Sequence, residues 1–260
     1  MPVSGSPPLQ SPHALPLIGH DSALFLDFDG TLVDLADQPE AVRVPPGLPS
    51  VLRQLSARLN GALAIVSGRR LADLDRLLAP LRLPVAAEHG AHLRLAHGEL
   101  IEPPSPALPV AIREVNALAR RHPGLRVEVK TAAVALHYRH APELEATCLR
   151  AMAEIAGAAP DLELLHGKCV LEIKPAGVSK GAAIAAFMAQ SPFTGRGALF
   201  AGDDVTDEAG FAAVQRLGGC GIKVGPGATQ ALCRCPSAAG LRDWLRHAAE
   251  APERPARITS

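Results

Sequence analysis

Aromatic side chains are scarce in this 260-residue chain, which has one Trp, one Tyr and six Phe, 3% in all. Stacking platforms for single-stranded nucleic acid, and the aromatic shelves of carbohydrate-binding modules, are hard to assemble from so few rings. An excess of charge is missing as well, because 26 Lys and Arg are balanced by 26 Asp and Glu. A protein that lives on nucleic acid or an anionic membrane normally carries a basic surplus, so neither is expected as a partner. The first twenty residues, Pro- and Ser-rich, contain no apolar run long enough for a signal peptide or a membrane span. The five cysteines, Cys148, Cys169, Cys220, Cys233 and Cys235, form no CxxC pair and no zinc-ligand spacing, which suits reduced thiols in the cytoplasm. Lysine is sparse too, five against 21 Arg, which makes Lys130, Lys168, Lys174, Lys180 and Lys223 each worth locating. What the chain does have is apolar content, 48%, enough for a folded core rather than a disordered coil.

Short apolar runs recur, and each stops at polar or glycine residues. Residues 23–26 end in Asp27-Phe28-Asp29-Gly30, 62–66 in Ser67-Gly68, 85–87 in Glu88-His89-Gly90, 198–201 in Gly202-Asp203-Asp204, and 221–224 in Gly225-Pro226-Gly227. Such runs read as strands buried on both faces of a parallel sheet. Between them Val51, Leu52, Leu55 and Leu59 share a helical face, as do Leu71, Leu74, Leu77 and Leu78, and Ile184, Phe187 and Met188. The alternation predicts a doubly wound α/β sheet. Between about residues 102 and 176 the pattern changes to helix-strand-strand, made twice, with hairpins at 127–139 and 162–174. The expected organisation is a core over 22–102 and 177–250, an inserted αββαββ lobe over 103–176, a loose leader over 1–21 and a flexible tail over 251–260. Pro103 to Pro106 and Pro175 to Gly177 are the expected hinges. In a two-residue period Val170, Glu172 and Lys174 share a face, as do Ala135, His137 and Arg139, so one face of the lobe's sheet is polar.

At the carboxyl end of the first strand stand Asp27 and Asp29, followed by Gly30 and Thr31, where α/β sheets bind ligands. One carboxylate can be a nucleophile or metal ligand while the other exchanges a proton with a leaving oxygen. Taken alone, the same turn equally suits a solvated loop or a cation-binding run. Ser67-Gly68-Arg69 offers a hydroxyl and backbone amides at a helix start, which fits a phosphate oxygen and also a plain helix cap. Lys180 opens another helix, where a cation opposes the dipole unless an anion sits nearby. Asp203, Asp204, Asp207 and Glu208 crowd four acids directly after a strand, which is self-repelling without a cation.

These four pieces, in this order and each at a strand end, resemble the four motifs of the haloacid dehalogenase-like (HAD) phosphatase superfamily, over about residues 22–246. The inserted lobe is similar to that superfamily's C2-type cap. Within it, Glu88-His89-Gly90, Lys130 with His137-Tyr138-Arg139, Gly167 through Pro175, and Gly202 through Glu208 with Phe211 resemble the trehalose-6-phosphate phosphatase family. Val129 stands where that family more often has a carboxylate, and Lys174 where it often has Arg.

The resemblance implies a HAD-like (Rossmannoid) core, a C2-type cap and Mg2+ as cofactor. It implies Asp27 as nucleophile and Asp29 as general acid and base. The metal would be held by Asp27, the Asp29 backbone carbonyl and Asp203, with Asp204 and Asp207 as further candidates. Phosphate would fall to Gly30, Thr31, Ser67, Gly68, Arg69 and Lys180, and the sugar to Glu88, His89, Lys130, His137, Arg139, Lys168, Glu172 and Lys174. The implied substrate is trehalose 6-phosphate. A monomer is expected, with association with the trehalose-phosphate synthase left open. Rival readings at this point are a sucrose-phosphate or mannosyl-3-phosphoglycerate type phosphatase, a phosphomutase, and an inactive regulatory subunit.

Overall fold

The computed structural model describes residues 15–36, 38–102, 107–167 and 169–252, so Lys168 and the expected hinge Pro103 to Pro106 lie outside the described residues. The chain begins with β1 (Ser22–Leu26), α1 (Leu48–Arg58), β2 (Leu63–Val66), α2 (Leu71–Leu78) and β3 (Val85–Ala87) in alternation, then folds back through β4 (His92–Arg94) and β5 (Leu100–Ile101). The inserted lobe follows, with α3 (Leu108–Arg121), β6 (Arg126–Val129), β7 (Val134–His137), α4 (Glu145–Gly157), β8 (Leu162–Gly167) and β9 (Val170–Pro175). The core resumes with α5 (Lys180–Met188), β10 (Gly197–Gly202), α6 (Glu208–Arg216), β11 (Cys220–Val224), β12 (Cys233–Cys235) and α7 (Ala238–Glu250).

The larger sheet has the order β12-β11-β10-β1-β2-β3-β4-β5. It is parallel from β12 through β3, as the continuous apolar runs require, and every residue of β1 and β2 is buried. The chain builds outward from β1 on one side and later from β10 on the other, so the strand order reverses beside β1 and opens a crevice at the carboxyl ends. β4 and β5 extend this sheet antiparallel, an addition that the sequence pattern does not announce. They are three and two residues long and carry His92 and Arg94 rather than an apolar run.

Phe25, Phe187 and Phe193 pack under β1 with ring centroids 5.2–6.0 Å apart, and Phe200 meets Phe211 at 5.4 Å. Fully burying each such ring contributes about 1.5–3 kcal/mol. The expected leader is shorter than 1–21, because Ile18 is buried against the core and the Trp244 indole donates to the Pro16 carbonyl. No helix among the described residues is long and apolar enough to cross a membrane.

The lobe is a four-stranded antiparallel sheet of order β6-β7-β9-β8. Its apolar side, with Val134, Leu136, Tyr138, Leu171 and Ile173, packs on Val115 and Leu118 of α3 and Cys148 and Met152 of α4. Glu172 and Lys174 point the other way and are buried all the same. That polar face is the ceiling of the crevice.

Candidate active site

The strand ends at the reversal point gather the acids. Asp27 follows β1, only 4% exposed, and its backbone N–H donates to Ala201 of β10 at 2.9 Å. Asp203 follows β10, and Asp207 lies fully buried just before α6. Carboxylate oxygens of Asp27, Asp203 and Asp207 lie within 4.8 Å of one another. Lys180, the first residue of α5, enters this cluster with Nζ 2.7 Å from Asp27 Oδ1 and 2.6 Å from Asp207 Oδ1. The anion that a lysine in a helical first turn calls for is therefore supplied by the chain itself.

Three carboxylates against one contacting ammonium leave negative charge in excess, and Lys223 on β11 donates to the Asp203 backbone carbonyl rather than to a carboxylate. Burial, and then repulsion from Asp207 and Asp203, pushes the Asp27 carboxyl well above its ordinary range, with Lys180 pulling the other way. Asp203 is raised by burial and by Asp207. Burial alone would lower Lys180, but Asp207 and Asp27 hold its ammonium above its usual value. A hard divalent cation relieves such an excess at an all-oxygen site, so the donor set fits Mg2+. Asp207 is already engaged through Oδ1 with Lys180 and through Oδ2 with the Asp204 amide at 2.9 Å, which leaves Asp27 and Asp203 as the carboxylates best placed to ligate. Asp204 itself is exposed, stands outside the cluster and caps the turn leading into α6.

The loop after β1 is shaped around Asp203. Gly30 has φ +76°, and a Cβ there would come within 2.2 Å of the Asp203 carboxylate. Thr31 is fully buried and its hydroxyl donates to Asp203 Oδ1 at 3.1 Å. Asp29 turns away from the cluster and is held bidentately by Arg69, Nε to Oδ2 at 2.6 Å and a terminal nitrogen to Oδ1 at 2.8 Å. The guanidinium also lies over the Phe28 ring, 5.7 Å from its centroid. Ser67 is buried and its Oγ accepts from the Arg69 amide at 3.2 Å. Gly68 lies beneath the His89 ring, where a Cβ would approach within 2.7 Å.

Glu88 and His89 both adopt left-handed backbone, φ +48° and +59°, which costs a side-chain-bearing residue about 1–2 kcal/mol. Burial, and then the charges of Lys180, Lys130 and Lys174, pushes His89 well below its usual value, so its ring is neutral. His89 Nδ1 is buried with no hydrogen-bond partner. The ring lines a cavity of about 190 Å³ together with Lys180, Val205 and Thr206 of the core and Glu163, Leu165 and Lys174 of the lobe.

In the ceiling, Lys130 donates to Glu172 Oε2, while Glu172 Oε1 is buried and unpartnered. Lys174 donates to Glu163 and to the Val178 carbonyl, and Glu163 also accepts from the Gly177 amide at 3.3 Å, so this pair braces the stretch that leads from β9 back to α5. His137 Nε2 lies 3.0 Å from Glu128 Oε2, and Arg139 is exposed; neither lines the cavity, nor do Lys130 and Glu172. The structure thus brings Asp27, Thr31, Lys180, Asp203 and Asp207 into one cluster, with Asp29, Ser67 and Arg69 on neighbouring turns. Glu163, Leu165, Val205, Arg70 and Lys223 join the surroundings without having been singled out as site residues by sequence.

The model of the family described as trehalose-phosphatase matches residues 25–238. The chain belongs to the trehalose-phosphatase family. It is 43% identical to trehalose-6-phosphate phosphatase of Escherichia coli (strain K12), over 86% of this chain and 85% of that one. It is 47% identical to a probable trehalose-phosphate phosphatase of Sinorhizobium fredii, over 85% and 84% of the two chains. Among solved structures, a trehalose-6-phosphate phosphatase related protein superposes with TM-score 0.72 at 30% identity, covering 87% of this chain and 96% of that one. The C-terminal domain of the C. albicans trehalose-6-phosphate phosphatase gives 0.76 at 21% identity, covering 89% and 92%, and speaks for the fold. As a trehalose-phosphatase family member the chain is a phosphoric monoester hydrolase on a HAD-superfamily fold.

Proposed function

We propose that this chain hydrolyses trehalose 6-phosphate to trehalose and inorganic phosphate through an aspartyl phosphate on Asp27, with Mg2+ as cofactor. The observation that carries the reading is the buried Asp27 at the strand-order reversal, bonded by Lys180 and adjoining Asp203 and Asp207 beneath a polar ceiling. Asp27 attacks phosphorus as the bond to the sugar oxygen breaks, and Asp29, released from its ion pair with Arg69 and protonated from solvent before the cap closes, gives that oxygen its proton. Asp29 then takes a proton from water, whose oxygen attacks the acyl phosphate and releases phosphate, restoring Asp27. Lys180 offsets charge on the phosphoryl group, and Ser67, Thr31 and the Gly68 amide orient its oxygens, which is most of the catalytic task in phosphoryl transfer, while the Gly30 amide is held by the Val33 carbonyl and shapes the loop. Without substrate Arg69 holds the Asp29 carboxylate aside, and the substrate phosphate would take its place on the guanidinium. Mg2+ would be held by Asp27, Asp203 and the Asp29 carbonyl, and when bound it supplies charge neutralisation between carboxylate and phosphate.

The sugar falls to the ceiling. His89 of the core joins Lys130, Glu172 and Lys174 in supplying mixed donors and acceptors, Lys168 is assigned on the sequence resemblance alone, and the unpartnered Glu172 Oε1 suits a hydroxyl. The lobe acts as a C2-type cap that closes over substrate and reopens for release. The names of the Escherichia coli and Sinorhizobium fredii relatives support the substrate. A bifunctional trehalose-6-phosphate synthase/phosphatase of Thermoproteus tenax is 38% identical over 85% of this chain, and the match spans 31% of that protein, which supports action close to a synthase. We place the chain, a monomer, in the cytoplasm, in keeping with its free cysteines.

Phosphate release measured over a panel of sugar phosphates, with and without Mg2+, tests the reading. Fast Mg2+-dependent release from trehalose 6-phosphate is expected. Preference for sucrose phosphate would reassign the substrate, and phosphate transfer without release would indicate a mutase.

A further inference from the structure

We infer that Glu88 and Arg70 form a clasp with which the core grips the backbone at the tip of the lobe's first hairpin, so that Glu88 is a positioning residue for lobe closure. Glu88 is 2% exposed, and its two carboxylate oxygens accept from the amides of Thr131, at 3.2 Å, and Ala132, at 2.9 Å. A carboxylate on two successive amides is a charge-assisted anchor with a fixed direction. On the other side of the tip, Arg70 donates to the Val129 carbonyl at 2.5 Å. The acid takes N–H groups and the base takes a carbonyl, so the grip reads main chain. Ala132 completes the joint by packing with Ala91 of the core and Val178 of the stretch between β9 and α5.

The clasp is wired into the site on both sides. Arg70 follows Arg69, which holds Asp29, and Glu88 precedes His89, which lines the cavity. Lys130, whose ammonium meets Glu172, lies between the gripped residues Val129 and Thr131. Docking the tip therefore sets where the Lys130–Glu172 pair stands above the crevice. The left-handed backbone at Glu88 and His89 is the kind of strain retained where it aims a functional group.

Amide hydrogen exchange on the intact, substrate-free protein decides the point. The amides of Thr131 and Ala132 are expected to be protected in the wild type and to exchange at least about tenfold faster in Glu88→Ala, with a smaller effect in Arg70→Ala. Unprotected amides in the wild type, or no change in Glu88→Ala, would overturn the clasp. A kinetic arm rests on the proposed substrate: Glu88→Ala and Ala132→Pro each lower kcat/KM on trehalose 6-phosphate by about tenfold, and the double variant matches the worse single one. Losses that multiply would mean Glu88 acts elsewhere, for instance on the sugar, and would overturn the assignment. If Ala132→Pro does not fold, exchange in Glu88→Ala decides. If the wild type leaves trehalose 6-phosphate untouched, the substrate reading fails while exchange still judges the clasp.

Discussion

All six phenylalanines are fully buried in the core, whereas the described part of the lobe contains none and packs its helices with Leu, Val, Ile, Ala, Met and Tyr138. The two regions differ in charge as well. The core sinks Asp27, Asp207 and Lys180 to a few percent exposure or less, Asp27 at the end of a strand buried along its whole length and Lys180 and Asp207 where α5 and α6 begin. The lobe sets its charges on one side of an antiparallel sheet, where they pair between strands, Lys130 with Glu172 and Lys174 with Glu163. A strand end in a rigid parallel sheet fixes an atom's position and suits bond breaking. An alternating sheet face presents exchangeable side chains and suits recognition. On the function proposed above, the difference assigns chemistry and selectivity to separate layers, which substitutions can pull apart.

The sharpest break is in the core. Asp27→Asn should lower turnover at least about 10³-fold on trehalose 6-phosphate and on a small aryl phosphate alike, because the amide cannot act as nucleophile. Circular dichroism should show an intact fold, and retained activity in that folded variant would move the nucleophile elsewhere. Chelation of divalent cations comes next. Activity on both esters should fall about 10²-fold or more and return with added Mg2+. Activity indifferent to chelator would remove the metal from the site.

The lobe should behave differently. Glu172→Ala leaves the Lys130 ammonium without its partner and removes the buried, unpartnered acceptor proposed for a sugar hydroxyl. The expected loss in kcat/KM is about 10²-fold on trehalose 6-phosphate and less than about threefold on the aryl phosphate, since a site built to bond a hydroxyl loses discrimination when that bond goes. Equal losses on both esters would erase the division between layers.

The same division governs what could be read from sequence. Asp27, Ser67 and Asp203 were legible because a buried strand followed by a polar turn is a local signal, and Lys180 because a lysine in a helical first turn opposes the dipole. The helix-strand-strand rhythm of the lobe and its polar face were legible for the same reason. Three kinds of feature were not. β4 and β5 are too short to show a period. The Glu163–Lys174 brace depends on register, being opposite residues of β8 and β9. The grip of Glu88 on Thr131 and Ala132 joins residues more than forty positions apart. Arg70 was hidden beside the motif arginine Arg69, and Leu165 and Val205 look like ordinary aliphatics until the cavity they line is seen.

The smallest expected effect lies in the core but away from the crevice, and it tests whether core charge outside the cluster serves folding alone. Asp75 of α2 bonds Arg94 of β4 at 2.7 Å and Arg82 at 2.9 Å, while Arg94, 7% exposed, also donates to the Leu83 carbonyl. The Arg94 hydrogen bond, against a smaller opposing effect of burial, holds the Asp75 carboxyl below its ordinary value. A carboxylate depressed on folding contributes stability above its unfolded pKa and loses it as pH falls through the folded value. Asp75 is partly exposed, so screening keeps the contribution to about 1 kcal/mol, a Tm shift of about 2–4 °C. Asp75→Asn should therefore melt a few degrees below the wild type at pH 7 and show a smaller gap at pH 3, with kcat/KM unchanged at neutral pH. A melting gap of the same size at both pH values would show that packing rather than charge joins α2 to β4, and a fall in kcat/KM would show that the chemical layer extends further from the strand ends than the cluster around Asp27.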